Sequence, residues 1–192
     1  MSKTQVKPET PVYQLKMTLN GSKPPIWRRV LVPGDITLGE LHDVIQIAMG
    51  WEDGHLHQFT VGGLCYSNPF FGLAEYVGGV KDENRAVLSR IVLGEKFRFV
   101  YEYDFGDSWK HVILVEKILP PDPQQKLPVC IKGKRACPPE DVGGIWGYYG
   151  FLAALQDPDH PERDDYLEWI GGEWDAEAFD LNAINQGLGA TP

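Results

Sequence analysis

Between Phe97 and Ile118 the chain carries two strand-like runs joined by only Asp104-Phe105-Gly106-Asp107. A link this short cannot span the crossover that parallel neighbours need. The spacing therefore predicts an antiparallel hairpin, Phe97 to Tyr103 against Trp109 to Ile118. A second pair precedes it. Val12 to Leu19 alternates apolar and polar residues, with Tyr13, Leu15, Met17 and Leu19 on one face. A turn cluster from Asn20 to Pro25 leads to a partner run, Ile26 to Val32. Leu56 to Val61 reads as a further strand, with Leu64 to Tyr66 as its short partner across Gly62-Gly63.

One helix is written into the sequence as plainly as the hairpin. Thr37-Leu38-Gly39-Glu40 is a capping box, in which Thr37 accepts from the Glu40 amide and Glu40 reaches back to the Thr37 amide. Leu41, Val44, Ile45, Ala48 and Met49 then follow at helical spacing, and Gly50 stands where a left-handed terminal residue is wanted. Residues 67–90 carry little regular signal, and 120–139, with six prolines, read as one loop. Beyond it Tyr148, Phe151, Leu152 and Leu155 share a helical stripe that Asp157-Pro158 stops. A short helix is expected at about 161–170 and a last one at about 176–186. The sum is an α+β fold: an antiparallel sheet, one packed helix at about 37–49, and a C-terminal helical layer.

A chain of 192 residues with 43% hydrophobic content suits a single domain, here expected over 10–188 after a disordered lead-in, 1–9. Its net charge of −9 works against whole-surface binding to nucleic acid, because Lys and Arg supply most of that affinity. No window approaches the roughly 20 apolar residues of a membrane helix, and the polar start is not a signal peptide. Three cysteines do not make a disulfide framework, so the expected setting is reducing cytoplasm with no membrane. Six tryptophans point to aromatic packing, a binding surface, or both.

Three motifs carry chemistry. The hairpin tip sets Asp104, Asp107 and Trp109 around one turn, suited either to a cation or paired-carboxylate site or to ordinary turn capping. His55, His57 and His111 fall in expected strands. His55 and His57 lie two residues apart on one strand face, a spacing that serves zinc as well as buried, hydrogen-bonded imidazoles. Cys130 and Cys137 stand in the proline-rich loop, just before Glu140 and Asp141, where they could hold a metal or form a redox pair, at a spacing looser than usual zinc pairs. Phosphate-binding, zinc-protease and serine-hydrolase signatures are absent.

Pro25 to Val30 with Thr37 to His42, then Tyr101 to Trp109, then Cys137 to Asp141 with Gly143-Gly144 and Gly147-Tyr148, resemble the ordered signatures of the plasmid pRiA4b ORF-3-like proteins. Asp157-Pro158 to His160 and Phe179 to Leu181 extend the resemblance over about residues 10–186. It implies an α+β fold and a mobile-element-associated family, and it implies no reaction. Many members carry a further cysteine where this chain has Val142, so a three-cysteine site would lack one ligand here.

Two functions stay open. One is a non-catalytic interaction module whose acidic, tryptophan-rich surface binds a protein or small ligand. The other is a metal-assisted enzyme, hydrolytic or acting on nucleic acid, that holds a divalent cation on Asp104, Asp107, Glu140 and Asp141. No cofactor beyond such a metal is implied. The second requires those carboxylates, or His and Cys, to meet within one cleft, whereas the first needs only an exposed aromatic patch. The Asp104–Trp109 turn and the Cys137–Asp141 loop are expected to lie side by side and form one binding site.

Overall fold

The computed structural model describes residues 10–76 and 78–189, so the 1–9 lead-in lies outside the described residues. The strands are β1 Val12–Leu19, β2 Trp27–Pro33, β3 His57–Val61, β4 Leu64–Ser67, β5 Lys81–Asp82, β6 Arg98–Tyr103, β7 Trp109–Leu119 and β8 Val129–Lys134. The helices are α1 Leu38–Met49, the single turns α2 Leu73–Tyr76 and α3 Leu88–Ile91, then α4 Gly144–Gln156, α5 Arg163–Ile170 and α6 Leu181–Gly189. The fold is α+β.

Among the described residues, all eight strands join one sheet in the order β5-β4-β3-β6-β7-β1-β2-β8. Every pairing is antiparallel except that of β4 with β5. The β6–β7 hairpin closes with Tyr103 opposite Trp109. Alternation sorts the faces: Leu15, Met17, Phe59, Tyr101, Tyr103, Trp109, Ile113 and Val115 are buried on one side. The residues between them, such as Lys16, Glu102 and Glu116, stay partly exposed. The buried side carries α1, which adds Leu38, Leu41, Val44, Ile45, Ala48 and Met49 to the core.

Both halves of the capping box form. Glu40 N–H donates to Thr37 Oγ1 at 3.2 Å, and Thr37 N–H donates to Glu40 Oε2 at 2.7 Å. Gly50 closes α1 with φ 92°.

Three expectations are corrected. Residues 120–139 are not one loop, because β8 lies within them and pairs with β2 across about a hundred residues of sequence. The last helix begins at Leu181 rather than near Ala176. The Asp180 carboxylate accepts from the amides of Asn182 and Ala183, both at 2.9 Å, and so fixes the start there. His55 lies in a bend before β3, not in a strand, whereas His57 and His111 are in strands as expected.

The outer border of β8 is covered from the C-terminal layer. The Asn185 side-chain amide donates to Cys130 O at 2.9 Å, and its oxygen accepts from Cys130 N–H at 2.8 Å. Ala136 N–H donates to Ala176 O at 3.1 Å. Among the described residues, no helix is long and apolar enough to cross a membrane.

Candidate functional site

The polar side chains of interest collect where β3 begins, β6 ends and β7 begins. The link from α1 to β3 crosses this end of the sheet, and Trp51 pins it. The Trp51 ring stacks on Tyr103 at 5.0 Å, and its Nε1 donates to Pro138 O at 3.0 Å. That single indole joins the 51–56 link to the Cys137–Asp141 loop.

The Asp104 turn and the Glu140–Asp141 loop do meet, and His55 stands between them. Its Nδ1 is 3.9 Å from Asp104 Oδ2, and its Nε2 is 3.9 Å from Glu140 Oε2 and 3.3 Å from Asp141 Oδ1. Glu140 Oε1 accepts from Tyr103 Oη at 2.8 Å and from Glu52 N–H at 2.9 Å. Burial, reinforced by the Glu140 carboxylate, pushes the Tyr103 phenol well above its usual range, so it stays a donor. Asp104 also serves its own turn, with Oδ1 accepting from Gly106 N–H at 2.9 Å.

The other named residues are placed differently. Asp107 Oδ2 accepts from Gly143 N–H at 3.1 Å, which ties the hairpin tip to the start of α4. Trp109 does not face the cleft; at 1% exposure it lies in the core, 6.0 Å from the Trp51 ring. Cys130 and Cys137 are buried, and burial raises both thiols, which keeps them protonated. Among the described residues, neither belongs to a group of three metal-ligating donors within 4.8 Å of one another.

A second cluster, unforeseen from the sequence, lines a cleft of about 420 Å3 beside the first. His42 projects from the buried face of α1, and its ring stacks on that of His57 at 3.5 Å and 8°. His42 Nε2 is 2.9 Å from Asp53 Oδ1, and His42 Nδ1 is 2.8 Å from Tyr101 Oη. His57 Nε2 lies 3.1 and 3.0 Å from the two Glu83 oxygens. Gly39 lets Glu83 come so near, since a Cβ there would overlap Asn84 Oδ1. The only hint in sequence is a histidine on the apolar stripe of α1, one residue beyond Leu41.

Three ordered motifs, the hairpin tip, the Cys137–Asp141 loop and the capped α1, are thus held together by one architecture. Residues 11–183 match the family model for plasmid pRiA4b ORF-3-like protein. The chain belongs to that family. The uncharacterised protein y4hQ of Sinorhizobium fredii is 39% identical over 180 residues, covering 92% of this chain and 90% of that protein. The crystal structure of a protein of unknown function from Methanosarcina mazei Go1 has a TM-score of 0.81 at 37% identity, covering 91% of this chain and 97% of that one.

The C-terminal layer supplies a third feature of this family member. Residues 157–180 contain ten carboxylates and one cation, Arg163, a net −9 that equals the charge of the whole chain. Everything outside that segment balances at 17 acidic and 17 basic residues. Within it, Glu162, Asp165, Tyr166 and Trp169 join Asp141 and Val142 around a cleft of about 390 Å3.

Proposed function

We propose that the protein is a non-catalytic docking module whose acidic C-terminal layer receives a Lys- and Arg-rich segment of a partner protein. The observation that carries this reading is that the segment holding the whole net charge, residues 157–180, also supplies Glu162, Asp165, Tyr166 and Trp169 to one cleft. Trp169 and Tyr166 line this cleft with aromatic rings suited to a cation, while Asp141, Glu162 and Asp165 line it with carboxylates. Trp146, 83% exposed on α4, adds aromatic surface to the same helical layer.

The test is fluorescence titration with an Arg-rich peptide. Affinity should fall as ionic strength rises above roughly 0.1 M, where the screening length is about 10 Å. Trp169→Ala should weaken binding by about 1 kcal/mol, the scale of an exposed cation–π contact. An acidic peptide of equal length that binds as well would remove the reading.

A second reading, metal-assisted catalysis, is supported by His55, Asp104 and Asp141, which each offer one ligand atom within 4.8 Å of the others. Under it, Asp104→Asn abolishes Mn2+ uptake and leaves basic-peptide affinity unchanged.

A further inference from the structure

We propose that the face of the sheet turned away from α1 binds a single-stranded nucleic acid, whose phosphates lie along a row of cations crossing five strands. The ladder register draws that row. Arg98 stands opposite Leu114, Leu114 opposite Lys16, Lys16 opposite Arg29, and Arg29 opposite Lys132. One line of side chains therefore runs over β6, β7, β1, β2 and β8, and only Leu114 interrupts its cations. With neighbouring strands roughly 4.8 Å apart, the line is about 19 Å long. Alternation points it away from the core. Phe99, Ile113, Met17 and Val30, the chain neighbours of its members, are buried, whereas Arg98 and Lys132 are exposed and Lys16 and Arg29 half-buried.

Such a row is unfavourable alone, because like charges directly opposite one another across a ladder repel. Glu116 answers part of it, accepting from Arg29 Nε at 2.5 Å and Nη2 at 2.8 Å. Those bonds hold the Glu116 carboxyl below its usual range, with a smaller share from Lys16, so one acid already serves two cations. Among the described residues, Arg98 and Lys132 form no ion pair. A chain of phosphates supplies the missing negative charge.

The adjoining line on the same face selects the kind of polyanion. Val100 stands opposite Val112, Val112 opposite Thr18, Thr18 opposite Trp27, and Trp27 opposite Lys134. Val100, Val112 and Trp27 are half-buried and open to this face. Lys16 Nζ and Arg29 Cζ lie 4.9 and 5.1 Å from the centre of the Trp27 ring, which holds two cations of the row in place. A line of cations beside an apolar, aromatic line suits a strand with phosphates along one edge and unpaired bases along the other. A duplex keeps its bases inside, and an acidic peptide brings no bases. The net charge of −9 does not oppose this contact, because residues 157–180 carry all of it and the rest of the chain balances.

The test uses the full-length protein and a fluorescein-labelled oligothymidylate of about 12 nucleotides, followed by anisotropy in roughly 50 mM salt. The oligonucleotide should bind, and Lys132→Ala should weaken it at least about threefold while lowering the slope of log affinity against log salt by about 0.7. Arg98→Ala should do the same. Glu116→Gln should tighten binding, a gain that structural damage would not produce. No binding by the parent protein, or an unchanged affinity and slope in both cation variants, would overturn the assignment. Equal or tighter binding of polyglutamate, of an anionic lipid vesicle or of the matching duplex would overturn it as well. The basic-peptide titration reads the acidic cleft separately, and its affinity should be the same in Lys132→Ala as in the parent.

Discussion

Gly133 and Phe179 occupy adjoining space at the border strand β8. A Cβ added at position 133 would stand 2.7 Å from Phe179 Cζ and 2.9 Å from Arg28 Cδ. Arg28 is buried beneath that ring, with its guanidinium carbon 5.0 Å from the ring centre. Its Nε donates to Ala48 O at 2.7 Å, and its Nη1 donates to Trp27 O at 3.0 Å and Lys134 O at 3.1 Å. One side chain therefore joins α1, β2 and β8. Gly133→Ala should displace the Phe179 ring and cost about 1–3 kcal/mol, the range for an overpacked site. Urea denaturation measures it, and an unchanged midpoint would mean that the ring swings away freely.

The cap of α1 gives a smaller and cleaner number. Thr37→Ala removes the acceptor of the Glu40 amide, and stability should drop by about 1 kcal/mol. Thermal or urea unfolding checks it. No loss would show that water replaces the hydroxyl fully.

The tie between the hairpin tip and α4 tests whether the two loops are built as one. Asp107→Ala releases the Gly143 amide and should cost about 1 kcal/mol. Gly144→Ala should cost more. Its φ is +68°, which penalises any other residue by about 1–2 kcal/mol, and the new Cβ would lie 2.6 Å from Asp107 O. If Gly144→Ala proves the milder of the pair, the tip and the helix are not in register as described.

Acid should weaken the fold through His111. The imidazole is fully buried, its Nδ1 faces Trp109 O at 3.2 Å, and burial lowers its pKa to about 3. The unfolded side chain titrates near about 6.5. Between those values the unfolded chain binds a proton that the folded one refuses, so stability falls as pH drops below about 6.5 and levels off near about 3. The slope from this one group approaches about 1.4 kcal/mol per pH unit. Denaturation midpoints from neutral to acid pH should show a shallower dependence in His111→Gln. Equal slopes in both proteins would refute the assignment.

What could be read from the sequence followed the range of the interactions. The capping box and the β6–β7 hairpin rest on residues a few positions apart, so their pattern survives in the linear chain. Strand β8 does not, because prolines flank it and its ladder partner β2 lies far upstream. Asp104, Glu140 and Asp141 stand out in the sequence as polar punctuation, whereas the i,i+2 spacing of His55 and His57 suggests only a strand pair. The bend before β3 sends His55 toward the carboxylates while His57 turns into the core beside His42. Glu83 was invisible. Its segment has no periodicity, and it reaches the cleft through backbone bonds such as Leu38 N–H to Ala86 O at 3.0 Å and Leu88 N–H to Ile36 O at 2.9 Å.

A broad sheet normally invites its own copies, since a bare border can template one molecule after another into fibres. Here the Asn185 amide saturates both main-chain groups of Cys130, as a ninth strand would have done there. The opposite border is only the two residues of β5, one of them Lys81, too brief to seed growth. Both borders thus carry a device of this kind, a side-chain amide supplied by α6 on one and a two-residue strand on the other, and each leaves less bare main chain for a second molecule to pair with.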